Sequence, residues 1–308
     1  MPVLDRITIY PVKSLDGLEL ATASVLPCGA IENDRRWRLV DMEQRVVNAK
    51  RMPLVHALRA DFHLDEAGCV QGIELAVDPA AIACASPSLQ ARLRQLEPAT
   101  FPLLPGPQGP CAWLSEALGL EVLLEERGDG GFPDDRDAPG ATLIATATLE
   151  AVGRWFGLSL KESRRRFRAN LEVGGCDPFW EDTLASPAGN PWPPVLQECA
   201  GGPMADPYAD LPPPEPLAFA IGGARLRATN VCRRCAVPTR DSRSGAVSEY
   251  FREAFEARRR ASLREDVAAS GWNTLYRLAI NTVGSCTHPA AIQIGDAIVV
   301  ARHDRHDR

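Results

Sequence analysis

Hydrophobic and polar positions alternate with a period near two over the first 62 residues, in short runs separated by turn residues. Such alternation predicts strands, because successive side chains of a strand point to opposite faces of a sheet. The separating residues include Gly17 and Gly29, which favour tight turns. The sequence therefore predicts a small antiparallel sheet or barrel, with strands at 7–10, 18–20, 23–26, 37–40 and 45–47.

The rest of the chain mixes this pattern with helical spacing. Gly119 marks the end of one helix, and Thr148 is a suitable N-cap for another. Composition supports a turn-rich fold, since the chain has 24 glycines and 26 prolines among 308 residues. The predicted helices lie at 112–118, 148–156 and about 248–260, and the predicted strands at 72–77, 81–84, 121–124, 217–221, 224–231, 275–280 and 291–300.

Proline and glycine are frequent just before the 112–118 helix, which indicates a domain boundary between about 95 and 125. We expect one domain over 1–125 and a second over 126–300, followed by a polar tail at 301–308. A Pro-rich insertion at 183–216 interrupts the second domain. Its length is typical of a functional or mobile surface loop.

Charge and composition exclude several functional classes. The formal net charge is -6 without a long basic block, so we expect no nucleic-acid partner. The N-terminus lacks a signal-peptide pattern, and the longest apolar run is too short for a membrane span, so we expect a cytoplasmic protein. Nine cysteines without regular pairing do not form a disulfide scaffold. Neither a glycine-rich phosphate loop nor a Gly-x-Ser-x-Gly elbow occurs.

The segment with the strongest chemical signal is Cys232-Arg233-Arg234-Cys235. A zinc site needs two further ligands at matching spacing, and the sequence offers no second pair. A thioredoxin-like redox pair begins a helix, whereas this pair runs into Pro238. Two buried core cysteines remain an alternative. The flanking guanidinium groups instead favour the thiolate form, which ligates soft metals.

Four segments taken together resemble the MOSC family, the molybdenum cofactor sulfurase C-terminal domain proteins. They are Tyr-Pro-Val-Lys-Ser at 10–14, Asp-Arg-Arg-Trp at 34–37, Arg-Phe-Arg-Ala-Asn at 166–170 and Cys-Arg-Arg-Cys at 232–235. Within that family the chain looks most like the mitochondrial amidoxime-reducing component and its bacterial relatives. The resemblance covers nearly the whole chain and implies an α+β, mostly β fold, in which an N-terminal MOSC β-barrel packs on a MOSC β-barrel domain with a few peripheral helices.

The resemblance also implies a function. It implies an enzyme that binds the molybdenum–molybdopterin cofactor and reduces small N-hydroxylated compounds by two-electron oxygen removal. A separate flavin or iron-sulfur reductase is the implied electron donor, and we expect no fused iron-sulfur cluster, since the plant-type cysteine spacing is absent. The alternatives are a cofactor carrier or sulfur-transfer protein without its own reductase turnover, and a non-catalytic protein that binds an anion through its arginines.

By the same resemblance, Cys235 is the protein ligand to molybdenum and a catalytic residue, with Cys232 a neighbour. Asp241 is a second catalytic candidate that orients the loop or a metal-bound oxygen, although an Asx-type turn explains it equally well. A phosphate suits guanidinium and ammonium groups, and a pterin edge suits an amide. The implied cofactor-binding residues are Lys13, Ser14, Arg35, Thr146, Thr148, Arg168, Asn170 and Arg234. For the basic residues taken singly, a solvated charged face is the alternative.

Overall fold

A computed structural model describes residues 1–185, 217–263, 272 and 274–300. Within these residues strands outweigh helices, which confirms the expected α+β, mostly β class. The predicted insertion at 183–216 lies outside the described residues beyond 185, and so does the tail at 301–308. No helix in the described ranges is long and apolar enough to cross a membrane.

The strands and helices are numbered in chain order. The strands are β1 (Val3–Ile9), β2 (Leu18–Leu20), β3 (Thr22–Val25), β4 (Trp37–Asp41), β5 (Val46–Val47), β6 (Leu58–Leu64), β7 (Val70–Val77), β8 (Ala99–Pro102), β9 (Val122–Glu126), β10 (Leu143–Ala145), β11 (Leu171–Gly174), β12 (Ala218–Ile221), β13 (Ala224–Arg233), β14 (Arg277–Gly284), β15 (Ala290–Gln293) and β16 (Ile298–Val300). The helices are α1 (Pro79–Cys84), α2 (Pro87–Leu93), α3 (Cys111–Leu118), α4 (Thr146–Phe156), α5 (Leu160–Phe167) and α6 (Phe251–Ser262), with short 3₁₀ helices at Pro53–Ala57, Trp180–Leu184 and Val237–Thr239.

The largest sheet in the described part of the chain has eight strands, in the order β16-β12-β13-β14-β10-β11-β1-β2. Strands β10 and β11 run parallel to each other, and the other pairs of this sheet are antiparallel. The smaller sheets are β15-β3, β5-β4-β9 and β6-β7-β8. Because β1 and β2 join strands that follow residue 126, the main sheet draws on both predicted domains. The division at 125/126 stays a prediction.

The core divides into two clusters of buried side chains. The larger follows the alternation of the sheets, with Leu4, Ile7 and Ile9 of β1 almost fully buried. The smaller is aromatic and packs α5 and α6 against the sheet. In it the Phe255 ring meets the Tyr276 ring edge-on at 5.1 Å between centroids. This cluster supports the C-terminal end of α5, which faces the cavity described below.

One element prediction was wrong, and the N-cap of one correctly predicted helix was misplaced. Residues 81–84 form the end of helix α1 rather than a strand. Asp78 caps this helix by accepting a hydrogen bond from the Ala80 N–H, and Pro79 occupies its first position, where a missing N–H costs nothing. Helix α4 begins at Thr146 with Ala145 as its N-cap, so Thr148 lies inside the helix. Its hydroxyl is fully buried and serves a different purpose, as shown below.

Candidate functional site

A cavity of about 950 Å³ opens where the N-terminal loops, the end of α5 and the end of β13 meet. Its volume is in the range typical of small-molecule and cofactor sites. Six of the predicted site residues line it, namely Lys13, Ser14, Arg35, Arg168, Arg234 and Cys235. Segments far apart in sequence therefore converge on one cavity, as the combined motifs required.

The thiol pair lies at the end of strand β13. Cys232 and Cys235 are both free thiols, the first half-buried and the second exposed. The Sγ of Cys235 accepts a long hydrogen bond of 3.5 Å from the Val237 N–H, which leaves it accessible to the cavity. The exposed thiol is therefore the one available to a large ligand.

Arg234 ties this segment to the rest of the site. Its Nη2 donates to the carbonyl oxygen of Phe167 at 2.5 Å, and its Nη1 donates to the Sγ of Cys232 at 3.4 Å. The guanidinium charge therefore contacts Cys232 and not Cys235. Since Phe167 is the last residue of α5, Arg234 fixes the thiol segment against the helix end that carries Arg168.

Arg168 is the C-cap of α5 and adopts a left-handed backbone conformation, with φ of 52°. Its guanidinium carbon lies 4.0 Å from the centre of the Tyr10 ring, a cation–π contact. Within the described residues no carboxylate lies within salt-bridge distance of it. Burial lowers the pKa of Arg168, and the charge of Arg35 lowers it further. An anion at this corner of the cavity would relieve both penalties.

Lys13 and Arg35 face the same corner but already contact an acidic loop. The Nζ of Lys13 lies 2.8 Å from the Asp134 carboxylate and donates to the carbonyl oxygen of Phe132 at 3.1 Å. Arg35 pairs with Asp34 and lies 3.7 Å from Asp134. Desolvation opposes ionisation of Asp134, but the charges of Arg35 and Lys13 prevail and hold its pKa well below its usual range. Because 73% of the Asp134 side chain is exposed, solvent screens its attraction to these cations.

Asn170 does not line the cavity. Its amide is buried and joins three segments, donating to the Thr8 carbonyl oxygen at 3.1 Å and accepting from the Thr142 N–H at 3.1 Å. The same side-chain oxygen accepts a longer bond of 3.4 Å from Arg35. Asn170 thus positions Arg35, and the structure does not present it to a pterin ring.

Two further predicted site residues, both threonines, also lie outside the cavity wall. Thr148 donates to a Glu181 carboxylate oxygen at 2.9 Å and accepts from the Phe179 N–H at 2.6 Å, deep in the core. Thr146 contacts Asp5 at 3.4 Å. The two threonines belong to the buried face and the first turn of α4 and do not line the cavity, so their cofactor-binding role stays a prediction that this geometry does not support.

Asp241 is used in the turn that follows the thiol segment. Its Oδ1 accepts hydrogen bonds of 2.8 Å from both the N–H and the hydroxyl of Ser244. Its other oxygen lies 3.7 Å from Arg166. The geometry is that of the Asx-type turn left open from the sequence, and it gives no support to a catalytic role.

The structure adds residues that the sequence did not indicate. Tyr10 lies beneath Arg168, and burial raises its pKa to about 12, although Arg168 and Arg35 partly offset this. His56 lines the cavity with its Nε2 buried and without a partner among the described residues. Burial, followed by the charges of nearby arginines, lowers its pKa to about 4. A histidine inside a 3₁₀ helix carries no sequence signal for this position.

A metal held by protein ligands alone is not supported in the described ranges. No group of three or more His, Cys, Asp or Glu side chains converges there. The cavity wall carries the exposed thiol of Cys235, several guanidinium groups and the ammonium groups of Lys13 and Lys50, beside aspartates that pair with some of these cations. This donor set fits an anionic organic ligand that brings most of the metal's ligands itself.

Comparisons with known proteins agree with the sequence resemblance. Residues 1–120 match the family described as MOSC N-terminal beta barrel domain. The molybdenum cofactor sulfurase of Drosophila mojavensis is 28% identical over 204 residues, which are 59% of this chain and 25% of that protein. The molybdenum cofactor sulfurase of Drosophila yakuba is 24% identical over 264 residues, which are 80% of this chain and 29% of that protein. The chain therefore spans between a quarter and a third of the length of these relatives.

Among solved structures, the YUAD protein from Bacillus subtilis aligns with 97% of this chain and 96% of its own, at 10% identity and a TM-score of 0.35. A structural similarity this weak supports no conclusion about fold or function. The family match and the sulfurase relatives confirm the resemblance inferred from the four motifs. Residues 1–120 match the MOSC N-terminal beta barrel domain family, and the regions that align with the two molybdenum cofactor sulfurases cover 59% and 80% of this chain.

Proposed function

We propose that this protein is a molybdenum-cofactor-dependent oxidoreductase that reduces small N-hydroxylated compounds. The observation that carries the proposal is the exposed thiol of Cys235 in a cavity whose other walls supply Lys13, Arg35 and Arg168. One accessible thiolate and several cations suit a molybdopterin, which is anionic and contributes its own sulfur ligands to the metal. The sulfurase relatives support the link to this cofactor by name.

Different residues of the cavity would bind different parts of the cofactor. Cys235 is the candidate metal ligand, because its thiol is exposed and Val237 is its hydrogen-bond donor. The ligand's phosphate would bind at one corner of the cavity, formed by Lys13, Arg35 and Arg168 and called here the phosphate corner. Ser14 lies beside these residues in a left-handed backbone conformation, with φ of 76°. The Asp134 carboxylate leaves this corner when the ligand's phosphate enters, since both are anions that use the same cations.

Arg234 and Asn170 act as positioning residues. Arg234 holds the thiol segment on the end of α5, and Asn170 holds Arg35 in place. When bound, the cofactor supplies a two-electron centre able to exchange an oxygen atom with a substrate. The overall reaction takes two electrons and two protons, breaks the N–O bond and releases water. A separate flavin or iron-sulfur protein is the proposed source of the electrons.

The direct test is oxidation of a reduced viologen dye by protein purified from a host that makes the cofactor. We expect dye consumption only when an N-hydroxylated compound such as benzamidoxime is added, and formation of the amidine in equal amount. Cys235→Ser is expected to abolish this turnover. Cys232→Ser is the matched control, and we expect it to retain turnover, because the assignment makes Cys232 a neighbour of the metal. Turnover by Cys235→Ser would contradict the assignment.

A second function is supported by the sulfurase relatives themselves. In it the chain holds the cofactor, or sulfur on Cys235, for delivery to another protein and has no reductase turnover of its own. Loaded protein would then release cofactor to an apo-acceptor and leave the dye unconsumed. A slow release together with dye consumption supports the enzyme instead.

A further inference from the structure

Two asparagine side chains meet on the wall of the cavity, where strands β13 and β14 lie side by side. The Asn281 Nδ2 donates to the Asn230 Oδ1 at 2.9 Å, and both residues line the cavity. Asn281 is 6% exposed and lies among buried residues of β14. A side-chain amide in such a position is costly unless its hydrogen bonds are made. A ligand that completes those bonds would therefore stabilise the pair.

An irregularity of strand β13 brings Asn230 to this contact. Two residues of β13, Thr229 and Asn230, lie opposite the single residue Asn281 of β14. Such a bulge re-aims a side chain and is frequent next to active sites. Here the Thr229 hydroxyl is buried and donates to the Asn281 carbonyl oxygen at 3.0 Å, whereas Asn230 lines the cavity. The bulge thus separates a structural side chain from one that a ligand can reach.

Hydrogen bonding fixes the orientation of both amides. The Asn281 Nδ2 also lies 3.4 Å from an Asp135 carboxylate oxygen. An ionised carboxylate only accepts hydrogen bonds, so the nitrogen of Asn281 faces Asp135, and the Asn230 oxygen accepts from the same nitrogen. The Asn281 Oδ1 and the Asn230 Nδ2 are then without a hydrogen-bond partner among the described residues. The pair therefore has one acceptor and one donor left for a ligand in the cavity.

We infer that Asn230 and Asn281 form a subsite for the amide-type edge of a planar ligand, an edge on which a carbonyl oxygen lies beside N–H groups. The Asn230 Nδ2 donates to the carbonyl oxygen, and the Asn281 Oδ1 accepts from an N–H. The pterin ring of the proposed cofactor has such an edge, and so does a carboxamide substrate. Asn170, the amide that the motifs implied for the cofactor, lies outside the cavity wall. The pterin as occupant rests on the proposed function, whereas the subsite itself does not depend on turnover.

The test compares two probes that differ at one position of this edge, pterin and 2,4-diaminopteridine, in which an amino group replaces the carbonyl. Calorimetric titration of the cofactor-free protein measures both affinities. We expect the wild-type protein to bind pterin about 10-fold more tightly, because 2,4-diaminopteridine places an amino group against the Asn230 Nδ2.

Asn230→Asp is the variant that changes the fewest contacts. It replaces the nitrogen with an oxygen and keeps the oxygen that accepts from Asn281. We expect it to abolish the preference for pterin, and Asn230→Ser, which removes the nitrogen without adding charge, to abolish it as well. Asn48→Asp is the matched control, since Asn48 is a half-buried asparagine of the same cavity whose side-chain oxygen accepts from two backbone N–H groups. It adds the same charge and is expected to keep the preference.

Equal wild-type affinity for the two probes would overturn the subsite. A preference for pterin that persists in both Asn230 variants, or that Asn48→Asp also abolishes, would overturn it too. A second titration, with cofactor-loaded wild-type protein, distinguishes the two sources of the edge. If the cofactor occupies the subsite, the loaded protein no longer distinguishes the probes. If a substrate occupies it, the loaded protein keeps its preference for pterin.

Molybdenum content and dye oxidation separate this inference from the proposed function. If the preference for pterin depends on Asn230 but the protein binds no molybdenum, the subsite stands and the reductase function fails. If the protein reduces benzamidoxime and the preference does not depend on Asn230, the reductase function stands and the subsite fails. With both correct and the cofactor in the subsite, Asn230→Asp loses molybdenum during dialysis about 10-fold faster than Asn48→Asp.

Discussion

Replacement of Asn170 by alanine is expected to destabilise the protein by about 2–6 kcal/mol, before any effect on ligand binding is considered. The side chain is 1% exposed and joins β1 to the segment before β10. Its removal leaves the Thr8 carbonyl oxygen and the Thr142 N–H buried without these partners. Each such group costs about 1–3 kcal/mol, and two of them give the range stated.

The measurement is urea unfolding of cofactor-free protein followed by circular dichroism. At a slope of about 3 kcal/mol per molar urea, the Asn170→Ala midpoint is expected to fall by about 0.7–2 M. Thr146→Ala serves as the control, since Thr146 makes a single long contact of 3.4 Å to Asp5, and it is expected to remain within about 0.5 kcal/mol of wild type. A normal midpoint for Asn170→Ala, together with loss of cofactor, would refute this reasoning and favour direct pterin binding.

Three more predictions follow from the buried groups and turns. Burial, with the charge of Asp182, raises the Glu181 pKa to about 8, so the folded state keeps a proton that the unfolded state loses. The free energy of unfolding should therefore fall as the pH rises from about 4.5 to 8. In Glu181→Gln this decline should be absent in the same urea titrations. Gly131→Ala should lower the melting temperature, because the φ of Gly131 is +64° and an added β-carbon would lie 2.5 and 2.6 Å from two backbone oxygens. Gly128→Ala is the control and should not lower it, because the space around Gly128 is open. Equal melting temperatures for the two variants would contradict this prediction. Burial, followed by the charges of nearby arginines, should make the His56 imidazole titrate near pH 4 by NMR in the free protein and at higher pH when phosphate is added. A midpoint near 6.5 would contradict the burial of the ring, and a midpoint that does not respond to phosphate would contradict the contribution of the arginines.

The strands were the most predictable part of the fold. The predicted strands at 18–20 and 37–40 reappear as β2 and β4. Leu18 and Leu20 of β2 pack partly buried against the core on one face, whereas β4 is buried on both faces. The short apolar run at 81–84 was misassigned, since four apolar residues suit a strand or a helix equally. The capping signal of Asp78-Pro79 was the better guide there.

The motifs predicted that several distant residues share one site. The structure has Lys13, Arg35, Arg168 and Cys235 on the wall of one cavity, and their roles there stay predictions. Asn170 could not be assigned from its type, because an amide suits a buried hydrogen-bond junction as well as a ligand. Local spacing does not reveal such a junction.

The contact between Asn230 and Asn281 shows a different limit. It depends on the register between β13 and β14, in which irregularities flank Val231. A shift of one residue reverses the face on which a side chain lies. Register is set by the packing of the whole sheet, so the sequence could not show that these two asparagines share the cavity.

The most direct test of the central claim is the molybdenum content of the protein after expression in a host that makes the cofactor. We expect about one molybdenum per chain for the wild-type protein and for Cys232→Ser, and a large loss for Cys235→Ser. Wild-type protein without molybdenum, or a Cys235→Ser protein that retains it in full, would contradict the account.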